Sequence, residues 1–447
     1  MNGINSSGKK EEKSFSKKIN LFSIKTILII SIFILTCSFF LLHFIAYLKL
    51  WISIVISILS VLLSLYIILR LFLKRLEKSG YDEDWHELYG LKLSDLPYYK
   101  NDIITNTFKK NGDNYKEELG EINNGHDYPK NKRNYYDLYI PYSSLKNKDK
   151  INKIMLFIHG GGWKIGDKQY ATFFSSRYAK YGFITATMNH TFLSNKSHEC
   201  SIFRILDEIN FCVADIKEQL NNRGFDESKL ELALGGASSG AHLALLYGYS
   251  INNCPIPIKF IINIVGPVSM EPQYFYKIKD NNILDNIELI DIEQAMQQNK
   301  IENIFKSNES YLVETMNSMI GNRFNSNEIK GMLQNKKINI NNENYKKLIE
   351  FSKYVFPINY IKNNTVPILC AYAGIDTVVG VAHYGYLKQL YEKYGNTIEL
   401  VYMKDGGHYL DSYDTKDGMN AIREIHYQIL NFAQKYFTSD KQKTYYI

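Results

Sequence analysis

Residues 229–244 read Lys-Leu-Glu-Leu-Ala-Leu-Gly-Gly-Ala-Ser-Ser-Gly-Ala-His-Leu-Ala. Lys229–Gly235 is an apolar run of strand length, and from Ala241 to Tyr249 the pattern turns helical. Between them stands Gly236-Ala237-Ser238-Ser239-Gly240. A serine at a sharp strand-to-helix turn needs small residues two positions to either side, because a larger side chain keeps the turn from closing. Such a turn lifts the hydroxyl clear of the sheet and aims the first helical N–H groups at the reaction centre. The pentapeptide alone arises often by chance; the strand before it and the helix after it give it weight. Ser239 competes with Ser238, but Ala237 and Ala241 occupy its flanking positions, so Ser238 fits better.

Working upstream, the apolar run Lys153–His159 leads into Gly160-Gly161-Gly162-Trp163. Three successive glycines leave backbone amides bare and able to approach a ligand. They could point at an oxygen that becomes negative during attack on a carbonyl, where one donor is worth on the order of a hundred- to a thousand-fold in rate. A plain glycine-rich turn or a phosphate loop reads the same residues, although no GxxxxGK[ST] follows.

Further candidate strands are Asn134–Ile140, Gly182–Asn189, Ile258–Val265, Val366–Ala373 and Thr397–Met403. Helical patterns cover Phe203–Asn222, Val381–Tyr394 and Gly418–Phe437. Continuous apolar strands interleaved with helices predict an α/β domain over 133–447, with a mainly parallel sheet flanked by helices on both faces. Residues from about 268 to 355 break the alternation, being polar, Asn-rich and helix-leaning with no clear strand. An insertion this long reads as a helical lid or as a decorative excursion. Residues 79–132, rich in Tyr and carrying Trp85, read as a juxtamembrane linker.

His159-Gly160-Gly161-Gly162-Trp163, then Gly166-Asp167, then the Ser238 turn running into Ala241-His242-Leu243-Ala244, resemble the esterase and lipase branch of the α/β-hydrolases. The nearest groups are the hormone-sensitive-lipase-like and bacterial feruloyl-esterase-like carboxylesterases. The resemblance covers roughly residues 134 to 437, and Phe356-Pro357-Ile358-Asn359-Tyr360 is similar to the family's return from its insertion into the sheet. It implies an α/β-hydrolase fold and a triad in the chain order Ser, Asp or Glu, His. The run from Val366 through Gly374-Ile375-Asp376 then supplies the acid, and Asp405-Gly406-Gly407-His408 the base. The backbone amides of Gly160, Gly161 and Ser239 become the oxyanion donors. His159, Gly162, Trp163, Gly236 and Gly240 support them. Ala373 stands where a His is common and Gly380 where a Pro is frequent, and neither departure removes a catalytic group.

The implied reaction is hydrolysis of a small-molecule or lipid ester through an acyl-enzyme on Ser238, with no metal or organic cofactor. An amidase, formamidase or peptidase could use the same triad. A catalytically silent binding module is the remaining alternative.

Before the domain, Thr26–Leu48 and Leu50–Leu69 are nearly unbroken apolar runs. Each reaches the roughly 20 residues a helix needs to cross a bilayer. They predict a transmembrane helical hairpin over 26–78, turning near Lys49. Ser53, Ser57, Ser60 and Ser64 recur along the second run, and Ser31 and Ser38 share a face of the first. Lys9, Lys10, Lys13, Lys17, Lys18 and Lys25 precede the runs, and Arg70, Lys74, Arg75 and Lys78 follow them. Positive charge at both outer ends suits anionic lipid and predicts a basic cytoplasmic tail over 1–25 and a cytoplasmic catalytic domain. Much of the positive charge behind the net +7 gathers there, and no nucleic-acid-binding motif accompanies it. The five cysteines show no CxxC or metal-like spacing and read as free thiols of a reducing compartment.

Overall fold

The expected apolar runs pair side by side as β2 (Tyr135–Pro141), β3 (Asn152–Ile158), β4 (Ile184–Met188), β5 (Leu230–Ala237), β6 (Ile258–Ile264), β7 (Ile368–Ala373) and β8 (Ile398–Met403). With β1 (Gly90–Pro97) they make one sheet in the order β1-β2-β4-β3-β5-β6-β7-β8. β2 runs antiparallel to both its neighbours, and every pairing from β4 onward is parallel. The computed structural model describes residues 26–39, 57–68, 85, 88–98, 133–194, 200–278, 301–303, 309–410 and 415–438.

Successive strand residues point to opposite faces, yet those of β4 and β7 are all buried and those of β5 nearly so. Both faces are therefore covered, which is why these strands read as unbroken apolar runs rather than alternating ones. The cover comes from α1 (Thr172–Lys180) on β2, β3 and β4, α3 (Ser239–Ser250) on β3, β5 and β6, and α8 (Thr415–Tyr436) on β6, β7 and β8. Helix α2 (Ile202–Asn221) packs on α3, and α7 (Ala382–Lys393) joins β7 to β8.

Two expectations need correction. Residues 90–97, read as linker, form the first strand of the sheet. Its register against β2 shifts between Leu93 and Leu96, where Asp95 takes a positive φ of 54°. That bulge breaks the two-residue apolar period, and most of the strand's residues face solvent, so no periodic signal survives in the sequence. Lys168 fastens the bulge, with Nζ 2.6 Å from Asp137 Oδ1 and 3.0 Å from Asp95 Oδ1.

The insertion also contains short strands. Tyr276–Ile278 pairs antiparallel with Ile301–Asn303, and Leu333–Gln334 with Lys337–Ile338. Its helices are α4 (Ser310–Met319), α5 (Ser326–Gly331) and α6 (Glu343–Ser352). Leu312, Val313, Met316, Met319 and Leu348 are fully buried, so these helices extend the hydrophobic core.

Met1–Asp82 forms a separate compact unit from Glu83–Ile447. Its described parts are helical, 26–39 and 57–68, and present Leu28, Ile29, Phe33, Leu59 and Leu63 on their exposed surface. Among the described residues, no helix is long and apolar enough to cross a membrane. The tail over 1–25, the turn near Lys49, Ser53 and the basic residues from Arg70 to Lys78 lie outside the described residues.

Candidate active site

Ser238 sits between the last residue of β5 and the first of α3, with φ 53° and ψ −123°. A non-glycine residue adopts this region only where its surroundings hold it. Ser238 N–H donates to the Ile264 carbonyl on β6 at 2.8 Å, and the Ser238 carbonyl accepts from His242 N–H at 3.1 Å. Gly240 makes the close approach possible: a methyl there would run into the Ile158 carbonyl and stand 2.5 Å from that of His159. One on Gly236 would stand 2.5 Å from the Gly240 carbonyl. The small flanking residues thus let β3, the turn and the helix nest together.

Acid and base arrive from adjoining strands. β7 and β8 are parallel and in register at Ala373 and Met403, so the loops leaving their C-terminal ends start side by side. Gly374 N–H donates to the Met403 carbonyl at 2.9 Å and Ile375 N–H to the Gly406 carbonyl at 3.1 Å, lacing the loops together. Asp376 is buried, and its Oδ1 accepts from the N–H groups of Val378 at 2.7 Å and Val379 at 2.9 Å. Its Oδ2 lies 2.8 Å from His408 Nδ1, and His408 Nε2 lies 3.1 Å from Ser238 Oγ. A carboxylate at Nδ1 holds the proton there and leaves Nε2 free to take one from the hydroxyl. The arrangement can activate Ser238 and stabilise the imidazolium that results.

The glycine loop lies against the serine. A methyl on Gly160 would stand 3.3 Å from Ser238 Cβ. Ser239 opens α3, so its N–H belongs to the first turn and has no acceptor within the helix. The loop reverses through positive φ at Gly161, Gly162 and Trp163. His159 Nδ1 donates to the Gly160 carbonyl at 2.8 Å, and its ring stacks on His190 with centroids 4.6 Å apart. Burial pushes the His159 pKa down to about 3, so the ring is neutral near pH 7. Trp163 Nε1 donates to His242 Nδ1 at 3.3 Å, and His242 Nε2 donates to the Val355 carbonyl at 2.9 Å. From the insertion, the Tyr311 hydroxyl lies 3.6 Å from the place a methyl on Gly162 would take.

The structure therefore brings Ser238, Asp376, His408, Gly160, Gly161 and Ser239 together at the C-terminal ends of the parallel strands, with His159, Gly162, Trp163, Gly236 and Gly240 around them. Residues that sequence reasoning missed lie beneath the glycine loop. Arg133 donates from Nε to the His190 carbonyl at 2.9 Å and from Nη2 to the Gly166 carbonyl at 2.9 Å. Asn189 Nδ2 donates to Asp167 Oδ2 at 3.0 Å. Asn189-His190 directly after a fully buried strand was the available signal. Arg133 offered none, sitting at the end of the charged stretch 130–133.

The family model BD-FAE matches residues 136–391. The chain belongs to the BD-FAE family. It is a carboxylesterase-type hydrolase of the α/β-hydrolase superfamily. The BD-FAE match runs from β2 to α7 and takes in the glycine loop, Ser238 and Asp376; His408 lies beyond its end. Solved structures similar to this BD-FAE member include a truncated carbohydrate esterase from gut microbiota, 16% identical, covering 77% of this chain and 99% of that one at a TM-score of 0.45. Esterase B from Lactobacillus rhamnosis is 12% identical, covering 84% of this chain and 97% of that one at a TM-score of 0.46. An esterase from Thermogutta terrifontis is 15% identical, covering 69% of this chain and 91% of that one at a TM-score of 0.45. No curated protein matches the chain.

Proposed function

We propose that this BD-FAE member hydrolyses small carboxylic esters through an acyl-enzyme on Ser238. The hydrogen-bonded series from Ser238 Oγ through His408 to the buried Asp376 carries the reading, at 3.1 and 2.8 Å. His408 Nε2 takes the hydroxyl proton as Oγ attacks the carbonyl carbon. The amides of Gly160, Gly161 and Ser239 stabilise the tetrahedral oxyanion, where preorganised donors act most strongly. Collapse breaks the bond to the alkoxy oxygen, which leaves as the alcohol with the proton from His408. Water, giving a proton to His408, then attacks the acyl carbon; the carboxylic acid leaves and Ser238 regains its proton.

The reading extends to location. The two apolar runs, each of bilayer-spanning length and bordered by lysines and arginines, support a membrane anchor with the hydrolase domain on the cytoplasmic side. The exposed leucines, isoleucines and phenylalanines of 26–39 and 57–68 support an apolar environment for that unit. Location then favours a hydrophobic ester.

The deciding experiment assays the full-length chain in detergent on 4-nitrophenyl esters of increasing acyl length, beside Ser238→Ala. Turnover lost in the variant, with fluorophosphonate labelling of Ser238 in the parent, is the expected result. A folded parent that hydrolyses no ester and refuses the label overturns the esterase reading. Recovery of the chain in the soluble fraction after lysis overturns the anchor alone.

A further inference from the structure

Arg133 takes no part in the chemistry just described, yet its guanidinium lies beneath the loop that carries the oxyanion donors. Nη2 donates to the Gly166 carbonyl at 2.9 Å and to Asn189 Oδ1 at 3.2 Å, and the guanidinium carbon sits 3.8 Å over the centre of the Phe192 ring. The same Nη2 stands 3.3 Å from His159 Nε2. A guanidinium can donate and cannot accept. An N–H on His159 Nε2 would point at a group with no lone pair to accept it, so the single proton of the neutral ring sits on Nδ1. From there it meets the Gly160 carbonyl at 2.8 Å.

That carbonyl shares a peptide plane with the N–H of Gly161. In a trans peptide the two point in opposite directions. Holding the Gly160 oxygen toward the imidazole turns the Gly161 N–H out on the other side of the loop. The opposite tautomer would set a nitrogen lone pair against the carbonyl oxygen and release the plane. Glycine on both sides offers little resistance to its rotation.

We propose that Arg133 is a positioning residue for the oxyanion donors, selecting the His159 tautomer that sets the direction of the Gly161 N–H. The inference rests on Ser238 being the nucleophile. It adds that catalysis depends on a cation which touches neither substrate nor triad. Burial supports it from another side, because the His159 pKa held down to about 3 keeps a single proton on the ring and makes tautomer choice meaningful.

The test is a double-mutant cycle on the full-length chain, read as kcat and KM on one 4-nitrophenyl ester. Arg133→Met should lower kcat by about ten- to a hundred-fold, less than the loss of a whole oxyanion donor, with KM nearly unchanged. His159→Asn places an amide nitrogen near the Nδ1 position, able to donate to Gly160 unaided. In that background Arg133→Met should cost nothing further. Equal losses in both backgrounds, or wild-type kcat in folded Arg133→Met, overturn the proposal. Should Arg133→Met fail to fold, Arg133→Lys enters the same cycle: a loss confined to the His159 background supports the proposal, and an equal loss in both overturns it. Turnover that survives Ser238→Ala would remove the nucleophile reading itself; with Ser238→Ala inactive, the cycle bears on Arg133 alone.

Discussion

The indole of Trp163 donates to Nδ1 of His242 at 3.3 Å, joining the glycine loop to the helix that follows Ser238. His242 passes the connection on, donating to the Val355 carbonyl where the insertion returns. One buried, neutral imidazole therefore ties together the loop, the nucleophile helix and the insertion, its pKa pushed down to about 4 by burial. Replacing it by Phe leaves the Trp163 donor and the Val355 acceptor unpaired in the interior. His242→Phe should cost about 1–3 kcal/mol for each group left unsatisfied, measured by urea unfolding. A variant as stable as the parent would mean that these bonds do not hold the loop.

Asp376 makes a different kind of contribution. Its carboxylate fixes the proton of His408 on Nδ1, and the Val378 and Val379 amides hold the carboxylate still. Asp376→Asn can present its NH2 group to the imidazole and trap the wrong tautomer. The expected loss in kcat is about 10⁴-fold with the fold intact, as the same exchange costs a serine protease with this triad. A loss under about ten-fold in steady-state turnover, far short of that magnitude, would count against Asp376 as the orienting acid.

The glycines sort by what a methyl would meet. On Gly240 it would strike the Ile158 and His159 carbonyls, so Gly240→Ala should leave little folded protein. Gly407, one residue before His408, has nothing within 4 Å of such a methyl. Gly407→Ala should change stability by no more than about 0.5 kcal/mol. Soluble expression and thermal unfolding of the two variants check the contrast, and equal tolerance would contradict the packing of β3 against the turn.

Acid stability should reflect the histidines. Burial lowers the pKa of His159, His383 and His426 to about 3, and of His190 and His242 to about 4. In the unfolded chain each returns to about 6.5. Above that value both states hold the rings neutral and the full stability is present. As pH falls from about 6.5 toward 4, the unfolded state binds protons that the folded state refuses. Stability then drops by up to about 1.4 kcal/mol per pH unit for each ring. The urea midpoint should fall steeply between pH 7 and pH 5, and a flat midpoint over that interval would contradict the buried, neutral assignment.

How much was legible beforehand follows from how local each signal is. The turn at Ser238 depends on residues within two positions, and the parallel strands betray themselves as apolar runs because both their faces are covered. β1 stayed hidden, since its bulge at Asp95 and its exposed edge erase the period that marks a strand. The short ribbons of the insertion were hidden too, at only two or three residues per strand.

The sheet-and-helix alternation, the serine turn and the glycine loop could all be read along the chain, because each is specified by near neighbours in sequence. Asp376, His408 and Arg133 are different. Where their side chains meet is set by the register of β7 against β8 and by the packing of Arg133 under a loop it precedes by more than twenty positions. Strand pairing and burial across the whole sheet make contacts of that kind, so they emerge only once the chain has folded.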